Sequence, residues 1–191
     1  VLFRSEELGL SHQVGKAPFA YAATNTSDRS SIDDLVLAAL HEHNSSNFAK
    51  AIEIYTRILD SKPTPPPVVL GVIFKHRGMA YFAQGEYESA LEDFKSSSAN
   101  DPKAFRSIYY EGIVYGVQGK DKEAIESFNR SLEIDSYQSH VYYRRAIAYF
   151  NLAMYKEALA DIASAENLGL ADDEDLKALK KKLVNKFDMG V

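Results

Sequence analysis

Arg77, Glu111 and Arg145 stand 34 residues apart. Charged side chains at a fixed interval can pair with opposite charges or present themselves to a ligand. Asp93 and Asp161 lie sixteen residues after the two arginines, and on two helices packed back to back that brings each acid within reach of an Arg–carboxylate bridge. Ser127 holds the equivalent place after Glu111, so Glu111 is expected to accept from the arginines on either side of it. Such pairing fixes register rather than doing catalysis, because buried ion pairs specify geometry more than they stabilise.

Other chemistry-bearing patterns are sparse. His41 and His43 are two apart on a helical stretch, about 200° around the axis, and do not face one metal ion. Serines, histidines and aspartates occur without a nucleophile elbow, and no phosphate-cradling glycine loop is present. With no cysteine, the chain forms no disulfide, thiolate metal site or cysteine nucleophile. No catalytic residue, metal site or cofactor is expected.

The 191 residues are 46% hydrophobic and 26% charged, as in ordinary soluble domains, and the net charge of -5 disfavours general attraction to nucleic acid or acidic membranes. No stretch reaches the roughly 18 apolar residues of a membrane span. A cytoplasmic location is expected, and because the chain begins with Val1 it reads as part of a longer protein.

The elements that would position these side chains are helical. Residues 15–30 mix Gly, Pro, Thr, Asn and Ser, and with a short helical stretch before them residues 1–30 read as an arm or linker. A helix is expected from Ser31, with Asp33 and Asp34 suited to its positive end and Leu35, Ala38, Ala39 and His43 on its inner face. Phe48, Ala51, Ile52, Tyr55, Ile58 and Leu59 recur at helical spacing until Pro63, and Pro63–Pro67 forms a stiff connector. At the far end, Leu176, Leu179, Leu183 and Phe187 make an apolar stripe opposite Lys177, Lys180, Lys181, Lys182 and Lys186. That pattern reads as a capping helix with a solvated outer face over 173–191. A basic helix for a membrane surface or nucleic acid is the alternative.

Between these ends one pattern repeats. Gly78, Tyr81, Gly85, Ala90, Phe94, Ser97 and Pro102 are followed 34 residues later by Gly112, Tyr115, Gly119, Ala124, Phe128 and Ser131. Ala146, Tyr149, Ala158, Ile162 and Ala165 follow after another 34. Small residues let two helix backbones approach, and the tyrosines fill the seams between hairpins. This pattern resembles the tetratricopeptide repeat, with copies at 71–104, 105–138 and 139–172 and a divergent copy with its connector at 31–70. It departs from the family in lacking Trp, in carrying Ala153 in place of the turn glycine, and in having Ser136 and Leu170 where Pro is usual. The resemblance implies an all-α solenoid of helical hairpins, a right-handed superhelix closed by the C-terminal helix, acting as a non-catalytic protein-interaction module.

The resemblance also implies a concave groove lined by the first helix of each repeat. Its groove positions fall on Lys75, His76, Met79 and Phe82, then Arg106, Tyr109, Tyr110 and Ile113, then His140, Tyr143, Arg144, Ile147 and Asn151. Basic and aromatic residues there suit a protein or peptide carrying carboxylates and apolar anchors. Members that bind chaperone tails use two lysines, two asparagines and an arginine. Lys75 and Arg144 match that set, whereas Met79, Tyr110 and His140 do not, which disfavours chaperone-tail binding. Residues 1–14 resemble the closing helix of GGDEF (diguanylate cyclase) domains through Leu2, Phe3, Arg4, Glu7, Leu8, Gly9 and Val14, equally explained by a chance amphipathic tail. Two further readings follow: a regulatory region of a larger signalling enzyme, and self-association with the arm of one copy in the groove of another.

Overall fold

The computed structural model describes residues 26–188, with side chains from Ile32 to Lys186. The segment resembling a GGDEF terminus, the rest of the arm before Thr26, and the Phe187 side chain lie outside the described residues. Nine α-helices and no strand occur among the described residues. They are α1 (Thr26–Asn44), α2 (Phe48–Leu59), α3 (Pro67–Ala83), α4 (Tyr87–Asn100), α5 (Phe105–Val117), α6 (Asp121–Ile134), α7 (Ser139–Asn151), α8 (Tyr155–Ala165) and α9 (Glu174–Asp188). Consecutive helices pair as hairpins α1–α2, α3–α4, α5–α6 and α7–α8, and each hairpin packs on the next through its second helix. The result is an all-α solenoid whose core is divided among the hairpins rather than gathered at one centre.

Two sequence expectations for α1 change. The helix begins at Thr26, inside the stretch read as linker, since no Gly or Pro interrupts residues 26–44. Its inner stripe is Ile32, Val36, Ala39 and His43, whereas Ala38 is exposed and Leu35 only half-buried. The larger β-branched Ile32 and Val36 bury more apolar area than Ala38 would, and they set the face of the helix.

Each hairpin closes on a residue with left-handed backbone: Ser46 (φ 61), Gly85 (φ 79), Gly119 (φ 71) and Ala153 (φ 58). Nothing lies within 4 Å of a Cβ built on Gly85 or Gly119, so those glycines serve the backbone conformation rather than a tight fit.

Where the helices of a hairpin cross, a small residue faces a large one. A Cβ on Gly78 would meet Phe94 at 2.9 Å, and one on Gly112 would meet Phe128 at 2.5 Å. In the next hairpin Ala146 has the extra methyl and Ile162 replaces the phenyl ring, and both remain fully buried. Volume is conserved across the crossing, the condition under which core exchanges are tolerated.

After α8 comes a π turn, Glu166–Leu170, broken inside by the left-handed Gly169 (φ 104), and the chain reverses into α9. Asp173 starts that helix, its Oδ1 accepting from the Leu176 amide at 2.9 Å. Leu176, Leu179 and Leu183 pack on Ala146, Ala158, Ile162 and Ala165. Lys180 Nζ reaches Glu166 at 2.8 Å. The basic outer face of α9 stays in water.

Candidate functional site

The first helices of successive hairpins touch: α3 meets α5, and α5 meets α7. Their shared side is therefore a continuous surface, and the sequence-predicted positions divide on it by burial. Lys75 on α3 and Arg106 on α5 come together. With Lys103, Phe105, Val72 and Asp101 they line a cavity of about 190 Å³ at the seam between two hairpins. Burial, helped by the neighbouring Arg106 charge, lowers the Lys75 ammonium below its ordinary value of 10.5. The Asp101 carboxylate accepts from the Lys103 amide at 3.0 Å rather than bridging either cation.

Tyr110 stacks on Phe94 at 5.3 Å, and Tyr109 meets the His140 ring edge-on at 4.9 Å. The Arg144 guanidinium stands 5.7 Å over Tyr143. These contacts make an aromatic floor running from α5 to α7. Met79 (5% exposed) and Tyr109 (4%) are core residues instead of groove surface, because Ala90, Phe94 and Val114 enclose one and Phe128, Leu132 and Val141 the other. His76 turns towards the first hairpin, stacked on Tyr55 at 6.2 Å. Asn151 lies apart at the turn end of α7, its Nδ2 donating to Asp121 at 2.9 Å. Lys103 lies in the loop before α5, outside the first-helix positions of the sequence pattern, and Phe105 is the first residue of α5, one position before the predicted Arg106. The basic–aromatic run from Lys103 to Arg106 was the available signal.

The charge ladder occupies the seams on the other side. Arg77 donates from Nε and Nη2 to the two Asp93 oxygens, both at 2.8 Å, and from Nη1 to Thr56 of the preceding hairpin at 3.0 Å. Arg145 repeats this with Asp161 at 2.7 Å twice and Asn129 at 2.6 Å. Tyr81 and Tyr149 flank these guanidinium groups. Glu111 does not accept from Arg77 or Arg145. It accepts from Ser98 at 3.1 Å and Arg130 at 3.5 Å, because the two arginines are already held by their own aspartates. Burial pushes the Glu111 carboxyl above its ordinary value, against the opposing pull of Arg130 and Ser98. The polarity is inverted in the middle hairpin alone of the three: an acid on the first helix, with Lys95 and Arg130 as the cations around it.

Residues 77–139 match the family model for the tetratricopeptide repeat. This stretch is tetratricopeptide-repeat (TPR) sequence, and the fold around it is TPR-like. Its fold is similar to the crystal structure of MamA, at 18% identity and TM-score 0.68, over 76% of this chain and 82% of that one. The first TPR of Spaghetti (RPAP3), bound to the HSP90 peptide SRMEEVD, matches at 21% identity and TM-score 0.61, over 63% of this chain and 95% of that one. The TPR2B domain of yeast Sti1, in a complex with pHsp70, matches at 18% identity and TM-score 0.59, over 62% and 98%. At these identities the likeness concerns the fold. No curated protein sequence matches. Among the described residues, no group of three or more His, Cys, Asp or Glu could hold a metal ion, and no helix is long and apolar enough to cross a membrane.

Proposed function

We propose that this protein is a non-catalytic interaction module whose concave face holds a partner segment carrying carboxylates and apolar anchors. The observation that carries the reading is the approach of Lys75 and Arg106 across a seam, lining one cavity with Lys103 and Phe105. Two cations placed together in a half-buried setting repel each other, and an anionic group between them relieves that repulsion. The aromatic floor from Tyr110 to Tyr143 offers large, rigid apolar area beside it. A solved TPR neighbour holds a peptide, SRMEEVD, that combines acidic with apolar side chains. Lys75 and Arg144 alone match the positions used by chaperone-tail binders, so a different acidic segment is the expected occupant.

The test is fluorescence polarisation with labelled peptides of alternating Asp or Glu and Leu or Tyr, against neutral Asn/Gln versions. The acidic peptides should bind more tightly, more so at low salt, and Lys75→Glu with Arg106→Glu should abolish that preference while leaving the helical circular dichroism intact. Equal binding of acidic and neutral peptides would sink the proposal. Light scattering with and without residues 1–25 separates a self-association reading, since an unchanged monomeric mass would end it.

A further inference from the structure

His43 of α1, Tyr55 of α2 and His76 of α3 meet where the first hairpin packs on the second. The His43 and His76 ring centroids are 6.0 Å apart, edge to face, and Tyr55 lies 6.4 Å from the first and 6.2 Å from the second. Phe48 closes the cluster at 5.5 Å from His43. His43 is 3% exposed and Tyr55 fully buried. Nδ1 of each histidine and the Tyr55 hydroxyl are buried without a hydrogen-bond partner. This seam is also the divergent one, joined by the proline-rich connector from Ser61 to Pro66.

The later seams are built otherwise. Ser97 Oγ shares a 2.7 Å hydrogen bond with Ser107 and Ser98 Oγ donates to Glu111 at 3.1 Å between α4 and α5, and Arg145 donates to Asn129 at 2.6 Å between α6 and α7. These bonds do not depend on the protonation of a histidine. In the first seam the side-chain bond between hairpins is Arg77 to Thr56, at 3.0 Å, and the aromatic cluster lies beside an aliphatic contact of Val69 and Ile73 with Ile54 and Ile58.

We propose that the His43–Tyr55–His76 cluster is a proton-sensitive joint, at which protonation of the histidine pair releases the α1–α2 hairpin from α3 while the remaining hairpins stay packed. The groups facing the pair are the Tyr55 hydroxyl from α2 and Lys75 from α3, itself beside Arg106 of α5. Arg77, the next residue on α3, faces away to Asp93. No carboxylate acts on either ring among the described residues. Burial lowers both imidazoles below the ordinary value of 6.5, and Lys75 and His43 add to the lowering of His76. The folded joint therefore binds protons more weakly than the opened one. Its stability is fully present above the ordinary histidine value and is lost as the pH falls towards the folded value.

Hydrogen exchange of the whole chain, read by mass spectrometry and corrected for intrinsic rates, tests the joint at about pH 7.5 and about pH 5.5, either side of the ordinary histidine value. The expected result is a loss of protection in α1 and α2 at the lower pH with none in α7 to α9. His43→Phe with His76→Phe should remove that difference. Unchanged protection in α1 and α2, a uniform loss along all helices, or the same selective loss in the double variant would overturn the proposal. If the double variant does not fold, the imidazole NMR signals of the natural chain decide: they should change to the protonated form together with the opening of α1 and α2. Titration at the ordinary histidine value with α1 and α2 still protected would overturn it.

Discussion

A Cβ placed on Gly112 would stand 2.5 Å from Cε1 of Phe128, closer than any real side chain tolerates. The corresponding approach of Gly78 to Phe94 is 2.9 Å. The two glycines hold the same repeat position under different compression, and that difference can be measured. Gly112→Ala should destabilise the chain by about 1–3 kcal/mol and Gly78→Ala by less, in urea unfolding. Adding Phe128→Ile to Gly112→Ala recreates the Ala146–Ile162 pairing and should recover part of the loss. Equal effects of the two single changes would show that the ring simply moves aside.

Ala153 has φ 58 at the turn where Gly85 and Gly119 stand in the two preceding hairpins. A side chain in that conformation costs roughly 1–2 kcal/mol, so Ala153→Gly should raise the thermal midpoint. Gly85→Ala and Gly119→Ala should lower it by a similar amount. A fall in midpoint for Ala153→Gly would mean that the methyl group makes compensating contacts.

Arg145 and Asp161 are nearly buried, with side chains 17% and 6% exposed, whereas Arg130 beside Glu111 is 49% exposed. Arg145→Ala leaves a buried carboxylate behind and should cost about 3–5 kcal/mol. Arg130→Ala should cost less, because Arg130 is half-exposed and screened by water and the buried Glu111 keeps Ser98 and Lys95 beside it. Chemical denaturation of the two variants in the same buffer distinguishes them, and comparable losses would contradict the burial argument.

Burial holds the Glu111 carboxyl above its ordinary value of 4.5, so the folded chain binds that proton more tightly than the unfolded chain. Its contribution to stability is fully present below the unfolded value and is lost as the pH rises through the folded value. Glu111→Gln keeps a neutral acceptor for Ser98 and should flatten that fall, seen as a smaller drop in urea midpoint between acid and neutral pH. An unchanged drop would assign the pH dependence to other groups.

The hairpin fold was legible in the chain because backbone crossings demand small residues at fixed intervals, and Gly78, Gly112 and Ala146 announce them. The Arg77–Asp93 and Arg145–Asp161 bridges were legible for the same reason, since sixteen residues is one hairpin's return. Glu111 was misread because its partners do not obey the interval: Arg130 has serines, Ser96 and Ser164, at the equivalent places in the neighbouring copies. The candidate binding face was only partly legible. Helical spacing places Met79 and Tyr109 on the expected side, but only three-dimensional packing decides that Phe94 and Phe128 cover them. The loop residue Lys103 carries no periodic signal at all.

The inverted middle hairpin gives the array a fixed order. Copies made by duplication are interchangeable when their seams are alike, and a chain of interchangeable parts can exchange neighbours with another molecule or skip one of its own. Here, setting the α7–α8 hairpin directly after α3–α4 would bring Arg145 against Lys95 in place of Asn129. One reversed sign in a row of three thus acts as a key against skipping the middle copy, because the shortened row would set two cations together.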